Sequence, residues 1–174
     1  MGSAVVKSLE ISDIPRVGLL NIGSEEFKGK DEIKLAAELL NKSNLNYQGF
    51  VEGNGMFSVD YDVIVTDGFT GNIALKTAEG TAKLFQSHLR DAFKSSILSR
   101  LGYFLSSLAM KSVKERLDPR VHNCGILIGL NSLVVKCHGQ SESKGVSYAS
   151  DIIYSLLENN VNEKIQDYVD RIRV

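Results

Sequence analysis

The sequence predicts an α/β protein whose sheet is at least partly parallel. Two observations carry this. Short apolar, β-branched runs alternate with segments of helical period, and glycine clusters sit immediately after the apolar runs. The composition agrees, because the 174 residues are 43% hydrophobic and 24% charged, as in an ordinary globular chain. A chain of that length buries roughly two thirds of the surface it would expose unfolded, enough for a core of its own.

The elements follow in order. Residues 17–22 form a short apolar run behind Pro15 and read as a strand buried on both faces. Residues 30–42 place Ile33, Ala36, Ala37 and Leu40 at helical spacing. Tyr47–Val51 and Tyr61–Thr66 are strand-like, rich in aromatic and β-branched residues. Residues 71–93 return to a helical period through Leu75, Ala78, Ala82, Phe85 and Leu89. Cys124–Leu130 and Leu133–Cys137 are either two strands joined by a tight turn at Asn131-Ser132 or one bent strand. Residues 144–158 and 161–172 read as closing helices. In such sheets ligands bind beyond the carboxyl ends of the strands, where the glycine clusters lie.

Charge and cysteine usage exclude several classes. A net charge of −1 argues against whole-chain attraction to nucleic acid. Cys124 and Cys137 form no C-x-x-C pair and the histidines at 88, 122 and 138 are scattered, so the expectation is no metal and no cofactor. No uncharged apolar run reaches the ~18 residues of a transmembrane helix. The first residues carry no secretory pattern, and the chain reads as cytoplasmic and reduced.

Three clusters point to an anionic ligand. Asn21-Ile22-Gly23-Ser24-Glu25-Glu26-Phe27-Lys28-Gly29-Lys30 is a glycine-bounded loop after a strand, but not a Walker A loop, because Asp31 stands where Ser or Thr should bind magnesium. Glu25 and Glu26 oppose a polyphosphate, whereas Lys28 suits a small anion as a point charge. An ordinary solvated loop is the alternative. Thr66-Asp67-Gly68-Phe69-Thr70-Gly71-Asn72 joins a strand to a long helix, with Thr70 or Asn72 as candidate cap and an anion favoured at the helix N-terminus. Gly68 and Gly71 would admit a ligand close to the backbone, and a plain capped turn is the alternative. Lys136 and His138 share one strand face before Gly139, where either would meet an anionic substrate, although a lone histidine is more often structural. Gly53-x-Gly55 lacks a following helix and reads as a turn.

Residues 94–116 are of another kind. Ile97, Leu98, Leu101, Phe104, Leu105 and Leu108 make one wide helical stripe, opposite serines 95, 96, 99, 106 and 107. Five basic residues against one acidic leave this segment at +4 and the remainder at −5. That is the pattern of a membrane-surface helix, with burial in a core or dimer interface as the alternative.

The strings PRVGLLNIGSEEFKG (15–29), FVEG (50–53), DGFTGNIALKTAEG (67–80) and LVVKCHG (133–139) resemble, in order and spacing, the phosphate acyltransferase family of bacterial phospholipid synthesis, the PlsX family. The resemblance implies a three-layer α/β/α fold like that of phosphotransacetylases and the isocitrate dehydrogenase group, with an amphipathic helical hairpin over about 90–118. It implies conversion of acyl-[acyl carrier protein] and inorganic phosphate to acyl phosphate, a homodimer, and peripheral attachment to the membrane surface through Leu98, Leu101, Phe104, Leu105 and Leu108. Lys28 and Asn72 fall on the family's active-site lysine and asparagine. The expected phosphate and substrate contacts are Asn21, Gly23, Asp67, Gly68, Thr70, Gly71, Lys136 and His138. Family members are roughly twice this length, so residues 1–174 are expected to be the C-terminal half of such a domain, and Cys137 sits where serine is common. A non-catalytic remnant that dimerises or binds membrane or carrier protein is the alternative, with an acyl-CoA phosphate acyltransferase of the same fold as another.

Overall fold

A computed structural model describes residues 1–116, 124–137 and 143–172. His138 therefore lies outside the described residues. The chain divides into two compact units. The first comprises Met1–Asp67, Gly125–Lys136 and Ala149–Val174, and the second Gly68–Cys124 and Cys137–Tyr148.

The first unit is built on strand β1 (Arg16–Leu20), which lies between β2 (Asn46–Val51) and β3 (Val63–Val65), parallel to both. The expectation of a partly parallel sheet is met. β1 is central because its residues bury on both faces: Val17 is 1% and Leu19 3% exposed. Full burial of side chains of this size contributes roughly 1.5–3 kcal/mol each. Between β1 and β2 runs helix α2 (Asp31–Lys42), which buries Ala37 and carries Asp31 and Glu32 in its first turn and Lys42 in its last, matching the helix dipole. Gly53–Gly55 forms a single 3₁₀ turn, as expected of that cluster.

Arg16 and Asp62 lock the entry of β1 to that of β3. Asp62 Oδ2 accepts from Arg16 N at 2.7 Å and Nε at 3.0 Å, and Oδ1 accepts from Nη2 at 3.0 Å. Arg16 Nη2 also donates to the Val59 carbonyl at 2.7 Å. The guanidinium holds the Asp62 carboxyl down at about 2, against an ordinary 3.8. A carboxyl depressed on folding stabilises the fold above its unfolded pKa, and that stabilisation is lost as pH falls toward the folded value. Asp62→Asn is expected to lower the melting temperature at neutral pH. It should also flatten the loss of stability between pH 4 and pH 2, as followed by circular dichroism.

A second cluster of the first unit gathers helix α1 (Gly2–Ser8), the later part of helix α6 (Ser143–Glu158) and helix α7 (Val161–Ile172). Ala4, Leu156, Val161 and Ile165 bury together, joined by Ile126, Leu133 and Val135. Helix α1 has no forerunner in the sequence reading, because seven residues are too few to display a helical period. Strands β4 (Cys124–Ile126) and β5 (Val135–Cys137) pair as a two-stranded sheet, which decides for two strands over one bent strand.

In the second unit, helix α3 (Gly68–Lys94) precedes α4 (Ile97–Leu105) and α5 (Ser107–Arg116). The single stripe expected over 94–116 is two helices, because the chain leaves the helix at Ser106, whose hydroxyl donates to the Gly102 carbonyl at 2.8 Å. Ser96 caps α4 by accepting from Ser99 N at 3.0 Å. α4 packs against the end of α3, where the Phe93 and Tyr103 rings stand 5.1 Å apart.

Candidate functional site

The loop between β1 and α2 is organised around Asn21, whose side chain is buried at the strand's carboxyl end. Its backbone N–H donates to the Val51 carbonyl at 2.9 Å, continuing the bonding of β1 to β2. Its amide Nδ2 donates to the Lys28 carbonyl at 3.1 Å, and Oδ1 accepts from the Ile22 N–H at 2.9 Å. One buried amide thus ties both ends of the loop, the usual condition for a polar group to be buried without loss.

Two glycines make this closure possible. Gly29 has φ +91°, in the region that side chains avoid, and a Cβ there would collide with the Asn21 amide. A Cβ on Gly23 would strike Lys28 Cδ and come 2.7 Å from Glu25 Oε2. Any larger residue at either position displaces Asn21 or Lys28.

Lys28 is half-buried, with Nζ 2.7 Å from Glu25 Oε1. The Lys28 ammonium holds the Glu25 carboxyl below the usual carboxylate range. Glu25 is the Lys28 partner that sequence reasoning missed, because the sequence alone shows it only as an acid opposing polyphosphate. The signal was an acid and a base three residues apart, bridged by a turn in which Lys28 N donates to the Glu25 carbonyl at 3.1 Å. The structure therefore brings Asn21, Gly23 and Lys28 together in one loop, with Glu25 and Gly29 beside them.

β1 and β3 are parallel neighbours, so Asn21 and Asp67 both lie beyond the carboxyl edge of one sheet. α3 begins at Gly68, which corrects the capping expectation. Thr70 falls within the first turn and Asn72 in the second, so neither is the cap. The helix starts earlier because Gly68 and Phe69 adopt helical backbone directly after Asp67. Gly68, Gly71 and Asn72 remain together over these turns, and Asn72 is exposed. Among the described residues, a Cβ on Gly68 would meet nothing within 4 Å.

Lys136 lies on β5, exposed, on the strand face opposite to half-buried Val135 and Cys137. In the second unit, Leu98, Leu101, Phe104, Leu105 and Leu108 are all exposed, Leu101 at 55% and Leu105 at 77%. The inward side of these helices is a cavity of about 650 Å³, where Phe85, Leu89, Phe93 and Met110 meet Arg90 and Arg100. Among the described residues no helix is long and apolar enough to cross a membrane, and no His, Cys, Asp or Glu cluster is arranged to hold a metal.

A family model described as "Fatty acid synthesis protein" matches residues 1–164. A phosphate acyltransferase from Rhizobium leguminosarum bv. trifolii is 45% identical over 170 residues, covering 96% of this chain and 49% of the relative. One from Xanthobacter autotrophicus is 46% identical over 168 residues, covering 95% and 47%. One from Rhodospirillum rubrum is 46% identical over 176 residues, covering 100% and 50%. The chain spans about half the length of the curated relatives it matches.

Proposed function

The chain belongs to the PlsX family of fatty acid synthesis proteins, and on that premise we propose that it is an acyltransferase. It joins inorganic phosphate to the acyl group of an acyl-[acyl carrier protein] and supplies acyl phosphate for phospholipid synthesis. Phosphate is the nucleophile. Its oxygen forms the new bond to the thioester carbonyl carbon, the carbon–sulfur bond breaks, and the carrier thiolate leaves with a proton from phosphate. The protein needs no serine or cysteine nucleophile for this, only positioning and charge. Lys28 holds the phosphate. Asn72, with the N-terminal end of α3, stabilises the oxyanion that develops on the carbonyl. Asn21 and Gly23 shape the phosphate loop, and Asp67, Gly68, Thr70 and Gly71 form the backbone that carries Asn72. Lys136 and His138 are further contacts for the anionic substrate.

The observation that carries the reading is the loop itself. A buried asparagine bonded at both ends of the loop, with Gly29 at a positive φ against it, sets Lys28 beyond the carboxyl edge of a parallel sheet. We further propose the three-layer α/β/α arrangement, a homodimer, and peripheral association of α4 and α5 with anionic membrane surface.

A phosphate-dependent assay tests the reading. Incubation with an acyl-[acyl carrier protein] and phosphate is expected to release free carrier thiol and acyl phosphate together, and omission of phosphate should stop both. Carrier-protein or vesicle binding without turnover would favour the non-catalytic reading. A preference for acyl-CoA would move the substrate class.

A further inference from the structure

We propose that Cys124 and Cys137 are a reversible dithiol–disulfide site, oxidised by a low-molecular-weight disulfide to an intrachain bond across β4 and β5. Both cysteines are free and half-buried, and their sulfurs lie 3.2 Å apart, with Cys124 donating to Cys137. Strand register accounts for the approach. The Leu127 N–H donates to the Val134 carbonyl at 2.9 Å, and Cys124 stands opposite Cys137. Opposite residues thus move in contrary directions along the chain, the mark of an antiparallel pair. Counting back from the bonded pair Leu127–Val134, bonded and non-bonded positions alternate, and Cys124–Cys137 falls on a non-bonded one. Cα atoms approach there to about 4.5 Å, within the roughly 4.4–6.8 Å that a disulfide spans.

The two sulfurs are not equivalent. Cys124 has a second acceptor in the Gly145 carbonyl at 3.8 Å, and burial pushes its thiol pKa up. Cys137 accepts the hydrogen bond and is the sulfur presented for attack. Its thiolate attacks one sulfur of the small disulfide, expels one thiolate and is left as a mixed disulfide. Cys124 then gives up its proton and attacks the Cys137 sulfur, forming the intrachain bond and expelling the second thiolate. Two electrons and two protons pass to the small disulfide, which departs as two thiols. The bond forms on the half-buried strand face, while Lys136 and Gly125 face outward, so oxidation ties down the backbone that carries Lys136 without covering it.

The folded chain is incubated with glutathione disulfide, denatured, alkylated with iodoacetamide and weighed. The expected product is a monomer lighter by two hydrogen atoms, with neither cysteine alkylated and both thiols recovered by dithiothreitol. Trypsin should release the peptide ending at Lys136 joined to the peptide beginning at Cys137. Cys124→Ser is expected to stop at a glutathione adduct on Cys137, and Cys137→Ser to remain unmodified over the same interval. Two alkylated cysteines, or a disulfide-linked dimer in place of the lighter monomer, would overturn the site. An adduct on Cys124 in Cys137→Ser, forming as fast as that on Cys137, would overturn the order of attack.

Discussion

Asn72→Ala is expected to lower kcat for acyl phosphate formation about 100-fold or more, the usual loss when a positioned oxyanion donor is removed. Lys28→Ala is expected to act differently, raising KM for phosphate about tenfold or more, as befits losing one charge-assisted contact of ~1.4 kcal/mol. The split follows from the distinct tasks proposed for the two residues. A ground-state ligand of phosphate changes KM, whereas a group that bonds only the developing oxyanion changes kcat. The geometry supplies an internal control. Glu25 occupies the Lys28 ammonium at 2.7 Å, so if Lys28 holds phosphate as proposed, Glu25→Gln is expected to shift KM for phosphate downward. Steady-state kinetics with varied phosphate read all three variants. If Lys28→Ala leaves KM for phosphate, and Asn72→Ala leaves kcat, within about twofold of the parent, the assignment of both residues fails.

The second large effect concerns α4. Leu101→Glu combined with Leu105→Glu is expected to abolish binding to vesicles rich in anionic lipid. Each substitution removes roughly 1.5–3 kcal/mol of apolar insertion. Each also adds a negative charge opposed by about 1 kcal/mol near an anionic leaflet. Together they should weaken binding at least ~1,000-fold, measured by vesicle co-sedimentation. The fold itself should survive, because α4 has no buried residue and these two leucines are 55% and 77% exposed. Unchanged vesicle binding with loss of self-association, measured by sedimentation velocity, would identify the stripe as a protein interface. A collapse of the circular dichroism spectrum would mean that the stripe belongs to a core.

Much of the fold is legible in the sequence because its signals are local. The apolar run from Val17 to Leu20 reads as a strand buried on both faces, and the helical periods over 30–42, 71–93, 144–158 and 161–172 correspond to α2, α3, α6 and α7 within a few residues. The residue pattern alone hides the break at Ser106, because one non-helical residue leaves the stripe of Leu101, Phe104, Leu105 and Leu108 in register, and only the family resemblance implies a helical hairpin there. Helix α1 was hidden because its burial depends on Leu156, Val161 and Ile165, which lie far along the chain.

The candidate site divides along the same line. The residue types and their order in 21–30 and 66–72 mark a glycine-shaped loop and a helix entry, and the family resemblance places its active-site lysine and asparagine on Lys28 and Asn72. Which group Lys28 faces is a matter of side-chain geometry, and the Glu25 pairing follows from a turn that only the folded loop possesses. The start of α3 at Gly68 likewise depends on backbone conformation, which moved the cap away from Thr70 and Asn72.

The sequence by itself determined the α/β alternation, the family, the glycine-bounded loop after β1 and the amphipathic basic segment, because periodicity, motif order and charge are written residue by residue. Tertiary structure alone decided the β2-β1-β3 order, the Arg16–Asp62 lock and the meeting of Cys124 with Cys137. Each of these joins residues distant in the chain, and such contacts are fixed by strand register and packing.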